Sequence, residues 1–181
     1  LINSQDSRSE HKLLPYGLLR EPWVGLKRAH VLIFTKTNLK KPAPFLVSMV
    51  RATKRPTIQS ILSVHNLISP EGDAGQTKEG QKAIALSAVG DPEGFIRTLE
   101  SEGFNVVEHI AFIDHYEYVQ ADINRIAKRL NKTDAEVIIT TEKDMVKLQG
   151  LNLSRLKIYS LRVAFSLSKN AEQKLLSIIT G

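Results

Sequence analysis

The 181-residue chain contains no cysteine, which excludes disulfides, thiolate metal sites and cysteine nucleophiles together. Long apolar runs are also missing. No stretch approaches the ~20 consecutive apolar residues that a membrane-spanning helix requires. The five histidines are scattered with no pair at metal-ligand spacing, which argues against a zinc site. There is no Gly-x-Ser-x-Gly elbow for an acyl-transfer serine. A phosphate loop is absent too, although Gly75-Gln76-Thr77-Lys78-Glu79-Gly80-Gln81-Lys82 has its glycines five apart. A phosphate loop needs Lys directly after the second glycine and a hydroxyl after that, and here Gln81, Lys82 and Ala83 follow. That segment reads as an exposed turn. Internal repeats and low-complexity tracts are lacking, and aromatic residues make up only 6%.

What is present is the composition of a globular domain, with 42% apolar and 24% charged residues. A net charge of +6 favours anionic partners such as nucleotide phosphates, nucleic acid or an acidic membrane surface. The basic residues are dispersed, with little aromatic interleaving, and this reads as a solvated surface more readily than as a nucleic-acid groove. The chain begins Leu1-Ile2-Asn3-Ser4, a strand-like start without an initiator Met, so it is expected to open inside an element of a larger protein.

Strands and helices then alternate. A polar loop is expected between Ser4 and Lys12, followed by turn chemistry at Pro15 and Gly17. Glu21-Pro22 opens a short helix to about Arg28. Residues 30–35 read as a buried strand, and Pro42 and Pro44 precede a helix to about Ala52. Residues 57–68 are rich in β-formers and, across a glycine-rich loop, face residues 82–87 as a candidate two-stranded element. Beyond it come a strand over 83–89, a helix over 91–102, a strand over 105–112, a helix over 119–131 and a strand over 135–140. A helical turn over 142–148, a strand over 156–161 and a helix over 169–179 close the chain. This order predicts an α/β fold of three layers, a largely parallel sheet with helices on both faces, plus the short two-stranded linker.

Four segments carry candidate chemistry. In Ala111-Phe112-Ile113-Asp114-His115-Tyr116-Glu117-Tyr118 an acid and an imidazole follow the end of an apolar strand. Ligands of open α/β sheets sit outside the carboxyl ends of strands, so Asp114 and His115 fall on the functional rim. An Asp beside a His can orient its ring or raise its basicity. Alone, the pair reads first as a helix-capping Asp beside a surface His. Gly90-Asp91-Pro92-Glu93-Gly94-Phe95 has a helix start in which Asp91 caps, and its exposed amides can also meet an anion. In Thr140-Thr141-Glu142-Lys143-Asp144, Thr141 is a cap, and Lys143 can contact a phosphate or pair with Glu142, Asp144 or an opposite lobe. Arg20-Glu21 joins a planar clamp for carboxylate or phosphate to an acid able to hold it or bind a metal.

In this order the segments resemble one family, the tetraacyldisaccharide 4'-kinases of lipid A biosynthesis. Leu14-Pro15-Tyr16-Gly17-Leu18-Leu19-Arg20-Glu21 is similar to that family's Leu-Pro-x-Gly-x-Leu-Arg-Glu, and residues 31–36 resemble the strand and Thr-Lys that follow. Gly90-Asp91-Pro92-Glu93-Gly94-Phe95 resembles its Gly-x-x-Asn-Pro-x-x-Phe, and Phe112-Ile113-Asp114-His115-Tyr116 its Phe-Pro-Asp-His-His/Tyr. Thr140-Thr141-Glu142-Lys143-Asp144-Met145-Val146-Lys147-Leu148 is similar to its Thr-Thr-Glu-Lys-Asp-x-Val-Lys-Leu. Asp91 stands for the usual Asn and Ile113 for the usual Pro, and neither change touches the Asp-His pair.

The resemblance implies an incomplete P-loop kinase-like protein. Residues 1–56 would be the tail of the N-terminal kinase lobe, 57–82 a linker with the two-stranded element, and 83–181 the C-terminal α/β lobe. The family's P-loop, catalytic Asp and Asp-Gly-x-Gln-His segment do not occur here. By resemblance, the whole enzyme transfers the γ-phosphate of ATP, with Mg²⁺ held mainly by the other lobe, to the 4'-hydroxyl of an acylated glucosamine disaccharide 1-phosphate. It works peripherally at the cytoplasmic face of the bacterial inner membrane, with no nucleic acid expected. Asp114 and His115 would be catalytic, with His115 assisting the missing carboxylate and Asp114 orienting its ring. Arg20 and Glu21 would lie near the nucleotide, Glu142, Lys143 and Asp144 would make phosphate or interlobe contacts, and this chain would hold no metal. The fragment alone is expected to be inactive. The alternative from another class is a non-catalytic α/β binding module for nucleic acid or another anionic ligand.

Overall fold

Ala83, Ile84, Ala85 and Leu86 are wholly buried on both sides of their strand, as suits a central parallel strand and not half of a linker ribbon. In the computed structural model, which describes residues 1–4, 12–17, 19–75 and 78–180, this strand is the axis of one of two compact units. Most of the expected loop between Ser4 and Lys12, Leu18, and Gln76-Thr77 of the glycine-rich segment lie outside the described residues. The first unit comprises residues 1–63 and 164–181, the second residues 64–163.

In the first unit, β1 (Ile2–Asn3), β2 (Leu32–Thr35) and β3 (Thr57–Ile68) pair in parallel. Ile2, Leu32 and Phe34 pack with Leu46 and Val50 of α1 (Pro44–Ala52). The helix begins where expected, since Pro44 occupies its first turn, where no intrahelical donor is lost. The short helix after Pro22 is a six-residue 3₁₀ segment, Trp23–Arg28. Asn38 imitates a strand partner, giving its amide to Leu62 O and accepting from Leu62 N, both at 2.9 Å.

The second unit completes the pattern. The carboxyl-terminal part of β3 pairs antiparallel with β4 (Ala74–Gly75), Leu67 facing Gly75. The two-stranded element therefore exists, but its second strand is Ala74–Gly75. The expected partner, β5 (Lys82–Ser87), lies instead between β6 (Asn105–Ala111) and β7 (Val137–Thr141), parallel to both. β7 then pairs in parallel with β8 (Ile158–Leu167), which runs six residues beyond the expected end at Leu161.

The order β6-β5-β7-β8 dictates where the helices go. Crossovers between parallel strands are right-handed, so a connection stepping one way along the sheet covers one face and a connection stepping back covers the other. The step from β5 to β6 carries α2 (Pro92–Ser101), whose Phe95 and Leu99 pack on Ala83, Ala85, Val137 and Ile139. Reversed steps carry α3 (Gln120–Leu130) and α4 (Glu142–Leu148), whose Ile123, Ile126, Met145 and Leu148 pack on Ile84, Leu86, Ile138 and Ile158. Alternate residues of β5 thus serve opposite cores. The closing helix, α5 (Lys169–Thr180), belongs to the first unit, where Lys174 donates to Thr57 O at 3.3 Å.

His109 on β6 places Nε2 2.9 Å from the hydroxyl of buried Ser87. Burial lowers its pKa below 6.5, and Glu93 opposes that only in part. The unfolded chain therefore binds the proton first as the pH falls, and stability is lost from pH 6.5 down through the folded pKa. Urea midpoints measured across that window are expected to decline with acidification, and His109→Gln is expected to flatten the decline. An equally steep decline in the variant would assign the effect to other groups.

Candidate active site

The chain leaves β5 towards one face of its sheet and β7 towards the other, so the carboxyl ends of these two strands flank a topological switch point. One carboxylate ties the two exits together. Thr141, the last residue of β7, caps α4 by accepting the Asp144 amide at 3.1 Å, and donates its own hydroxyl to Asp144 Oδ2 at 2.8 Å. The same Oδ2 accepts the Ala88 amide at 3.0 Å, just past the end of β5. Asp144 is wholly buried, and its second oxygen, like the buried Tyr118 hydroxyl, has no hydrogen-bond partner among the described residues. Burial, reinforced by the Asp144 charge, pushes the Tyr118 phenol far above its ordinary value.

Asp114 and His115 follow β6 on this rim. Phe112 extends the ladder by one residue, donating to Ser87 O at 2.8 Å, and the Tyr116 amide then closes a turn on Ile113 O at 3.1 Å. His115 sits in that turn at φ +63°, a left-handed conformation uncommon for a residue with a Cβ. Asp114 sustains it by accepting the His115 amide on Oδ1 at 2.9 Å, and Lys143 Nζ approaches the same oxygen at 3.1 Å. The Lys143 hydrogen bond is the main reason the Asp114 carboxyl is held below the usual carboxylate range. Oδ2 lies 3.8 Å from His115 Nε2, beyond hydrogen-bond length, so Asp114 fixes the histidine through its backbone and not through its ring. The His115 side chain is 78% exposed.

Below the turn, Phe112, Tyr116 and Tyr118 form an aromatic group with centroids 4.4 to 5.4 Å apart. The Tyr116 hydroxyl donates at 3.1 Å to Asp122 Oδ2, which also accepts the Val119 amide at the start of α3. Asp122 is buried, and its hydrogen bond raises the Tyr116 pKa. Lys147 Nζ donates to Tyr116 O at 2.8 Å. Gly90 adjoins the pair, since a Cβ there would lie 3.5 Å from Asp114 Oδ2. Asp91 caps α2 through the Gly94 amide at 2.9 Å, and a Cβ on Gly94 would collide with that carboxylate.

Asp114, His115 and Lys143 are thus brought together. Glu142 turns to Arg162 at 2.9 Å, and Asp144 is an interior strut. Arg20 and Glu21 belong to the first unit, where they line a cleft of about 600 Å³ with Trp23 and Leu26, and Glu21 pairs with Arg28. Sequence reasoning missed the contacts of Lys147 and Asp122. For Lys147 a signal existed, because Lys143 and Lys147 are four apart and share a helix face. Among the described residues no three His, Asp or Glu converge as metal ligands, and no helix is long and apolar enough to cross a membrane.

A family model described as tetraacyldisaccharide-1-P 4'-kinase matches residues 1–180. The chain is 35% identical over 150 residues to the tetraacyldisaccharide 4'-kinase of Chlorobaculum parvum, covering 82% of this chain and 41% of that protein. With the Koribacter versatilis enzyme of the same name it shares 30% identity over 171 residues, 94% of this chain and 48% of that one. Among solved structures, a crystal structure of LpxK from Aquifex aeolicus in complex with ATP superposes with a TM-score of 0.60 at 28% identity. It covers 94% of this chain and 48% of the other. The chain therefore spans less than half the length of the curated relatives it matches.

The Asp144 strut is open to direct test. Asp144→Ala orphans the Ala88 amide in the interior and removes an acceptor from Thr141, which is expected to cost about 1–3 kcal/mol. Chemical denaturation of the variant measures this, and an unchanged midpoint would contradict it.

Proposed function

The chain belongs to the tetraacyldisaccharide-1-P 4'-kinase family, and on that premise we propose that it supplies part of a lipid A 4'-kinase active site. The observation that carries this reading is the exposed His115 ring, presented in a tight turn at the carboxyl-end rim of a parallel sheet and anchored through Asp114. The complete enzyme would transfer the γ-phosphate of ATP to the 4'-hydroxyl of an acylated glucosamine disaccharide 1-phosphate, acting peripherally at the cytoplasmic face of the inner membrane. Transfer of this kind needs an in-line hydroxyl and neutralised phosphate charge more than covalent chemistry by the protein. His115 takes up or relays the hydroxyl proton alongside a carboxylate of the nucleotide-binding lobe, a general-base role worth about 10²–10⁴-fold. Asp114 holds the backbone that aims the ring.

In this reading residues 1–56 are the tail of the nucleotide-binding lobe, 57–82 the linker and 83–181 the second lobe. That division follows function, whereas the compact units break after Ser63 and Val163. Arg20 and Glu21 serve the nucleotide side, and Arg20, with its planar donors, suits a phosphate. In this reading Mg²⁺ is held mainly by the nucleotide-binding lobe.

In the full-length kinase, His115→Ala is expected to lower kcat at least ~10²-fold with an unchanged circular dichroism spectrum. Turnover close to that of the parent would remove His115 from the mechanism. Residues 1–181 alone, which carry no phosphate loop, are expected to show no ATP-dependent phosphorylation of the acylated disaccharide. Robust kinase activity from this chain would contradict the divided-site reading.

A further inference from the structure

Two lysines of α4 reach the loop that carries His115, one on each side of it. Lys143 Nζ is 3.1 Å from Asp114 Oδ1 and Lys147 Nζ is 2.8 Å from Tyr116 O. They are one helical turn apart on a single face, and their acceptors belong to the residues immediately before and after the histidine. We infer that Lys143 and Lys147 form a two-point clamp that positions the His115 turn for catalysis, an inference that rests on the catalytic reading of His115 above.

Three observations argue for positioning over a simple gain in stability. The Asp114–Lys143 pair is exposed by 44% and 46%, and an ion pair of that exposure adds little to stability. The residue between the two anchors holds a left-handed backbone at φ +63°, a conformation that persists in a non-glycine residue only where its surroundings enforce it. The His115 ring itself is 78% exposed, so the turn and not packing must aim it. α4 is a suitable base for the clamp, because Asp144 and Thr141 lock its first turn to the ends of β5 and β7. The charge acting on Asp114 is the Lys143 ammonium from α4, and its own loop adds the His115 backbone amide as a second donor. Asp122 of α3 secures the far side of Tyr116 through its hydroxyl.

A lysine that bound a substrate phosphate would behave differently, because it would act on affinity. The test is steady-state kinetics of the full-length kinase carrying Lys143→Met, Lys147→Met, both together, Lys143→Arg and Lys147→Arg. Each Met variant is expected to lower kcat about tenfold while KM for ATP and for the acylated disaccharide stays within about twofold. The Arg variants, which restore a cationic donor, are expected to recover most of the loss. The double Met variant is expected to lose less than the product of the two single losses, since releasing either anchor frees the same turn. Unchanged kcat in both Met variants would overturn the clamp, and so would a large rise in either KM at constant kcat, which would make Lys143 a phosphate ligand. Both results are distinguishable from failure of the kinase reading, which the His115→Ala variant reports separately.

Discussion

The carboxylate of Asp144 is the constraint on which the rim of the second unit depends. It joins the amide that follows β5 to the hydroxyl that ends β7, and so fixes the two chain exits that flank the switch point. Because Asp144 also lies in the first turn of α4, the same contact sets where that helix begins. Its effect is transmitted by rigid geometry. Lys143 precedes Asp144 by one residue and Lys147 follows it by three, so the reach of both amines towards residues 114 and 116 is set by the strut. A carboxylate at this depth would be costly without donors, and one of its oxygens has two.

The electrostatic consequence appears at Asp114. A carboxylate carrying both the His115 amide and an ammonium group stays ionised, which keeps it an acceptor at the backbone of the histidine. Its second oxygen lies 3.8 Å from the ring, so the imidazole is not committed to a hydrogen bond with Asp114. The ring is then free to meet a hydroxyl or a carboxylate from outside this chain. A buried Asp–His dyad would instead fix one ring nitrogen in advance.

Much of the second unit was legible in the sequence because its strands and helices have unambiguous periods and caps. Asp91 with Pro92, and Thr141 three residues before Asp144, mark helix starts by hydrogen bonding that the structure contains. Residues 57–68 misled about pairing, since β-formers announce a strand without naming its partner. The uninterrupted burial of Ala83 to Leu86 was the sign that β5 needed neighbours on both edges. At the site, the Asp-His pair was legible because adjacent residues at a strand end are visible in a string of letters. The Lys143–Asp114 contact joins residues 29 positions apart, and no linear pattern encodes it. Asp144 was read as a phosphate or interlobe contact because an Asp directly after Glu142 and Lys143 looks solvated, and its burial against the end of β5 is visible only in the fold. The φ of +63° at His115 was likewise invisible, because histidine, though enriched at positive φ among residues with a Cβ, adopts it too seldom for its presence to mark a left-handed turn.

These features describe a divided task in which the fold supplies position and leaves reactivity to what binds. An exposed histidine on an unconstrained loop would sample many orientations, and each wrong one would lower the fraction of molecules ready to react. Here the restriction falls on the backbone on either side of the residue, through two amines and one carboxylate, while the ring keeps its exposure. Anchoring the backbone has a particular merit for any bulky ligand, because it leaves the imidazole exposed to solvent. Ile113, directly before Asp114, is 77% exposed, so burial of its side chain does not hold the turn. The enforcing contacts therefore come from α4 and α3, which puts the accuracy of the site in helices secured by the sheet and not in the loop that displays it.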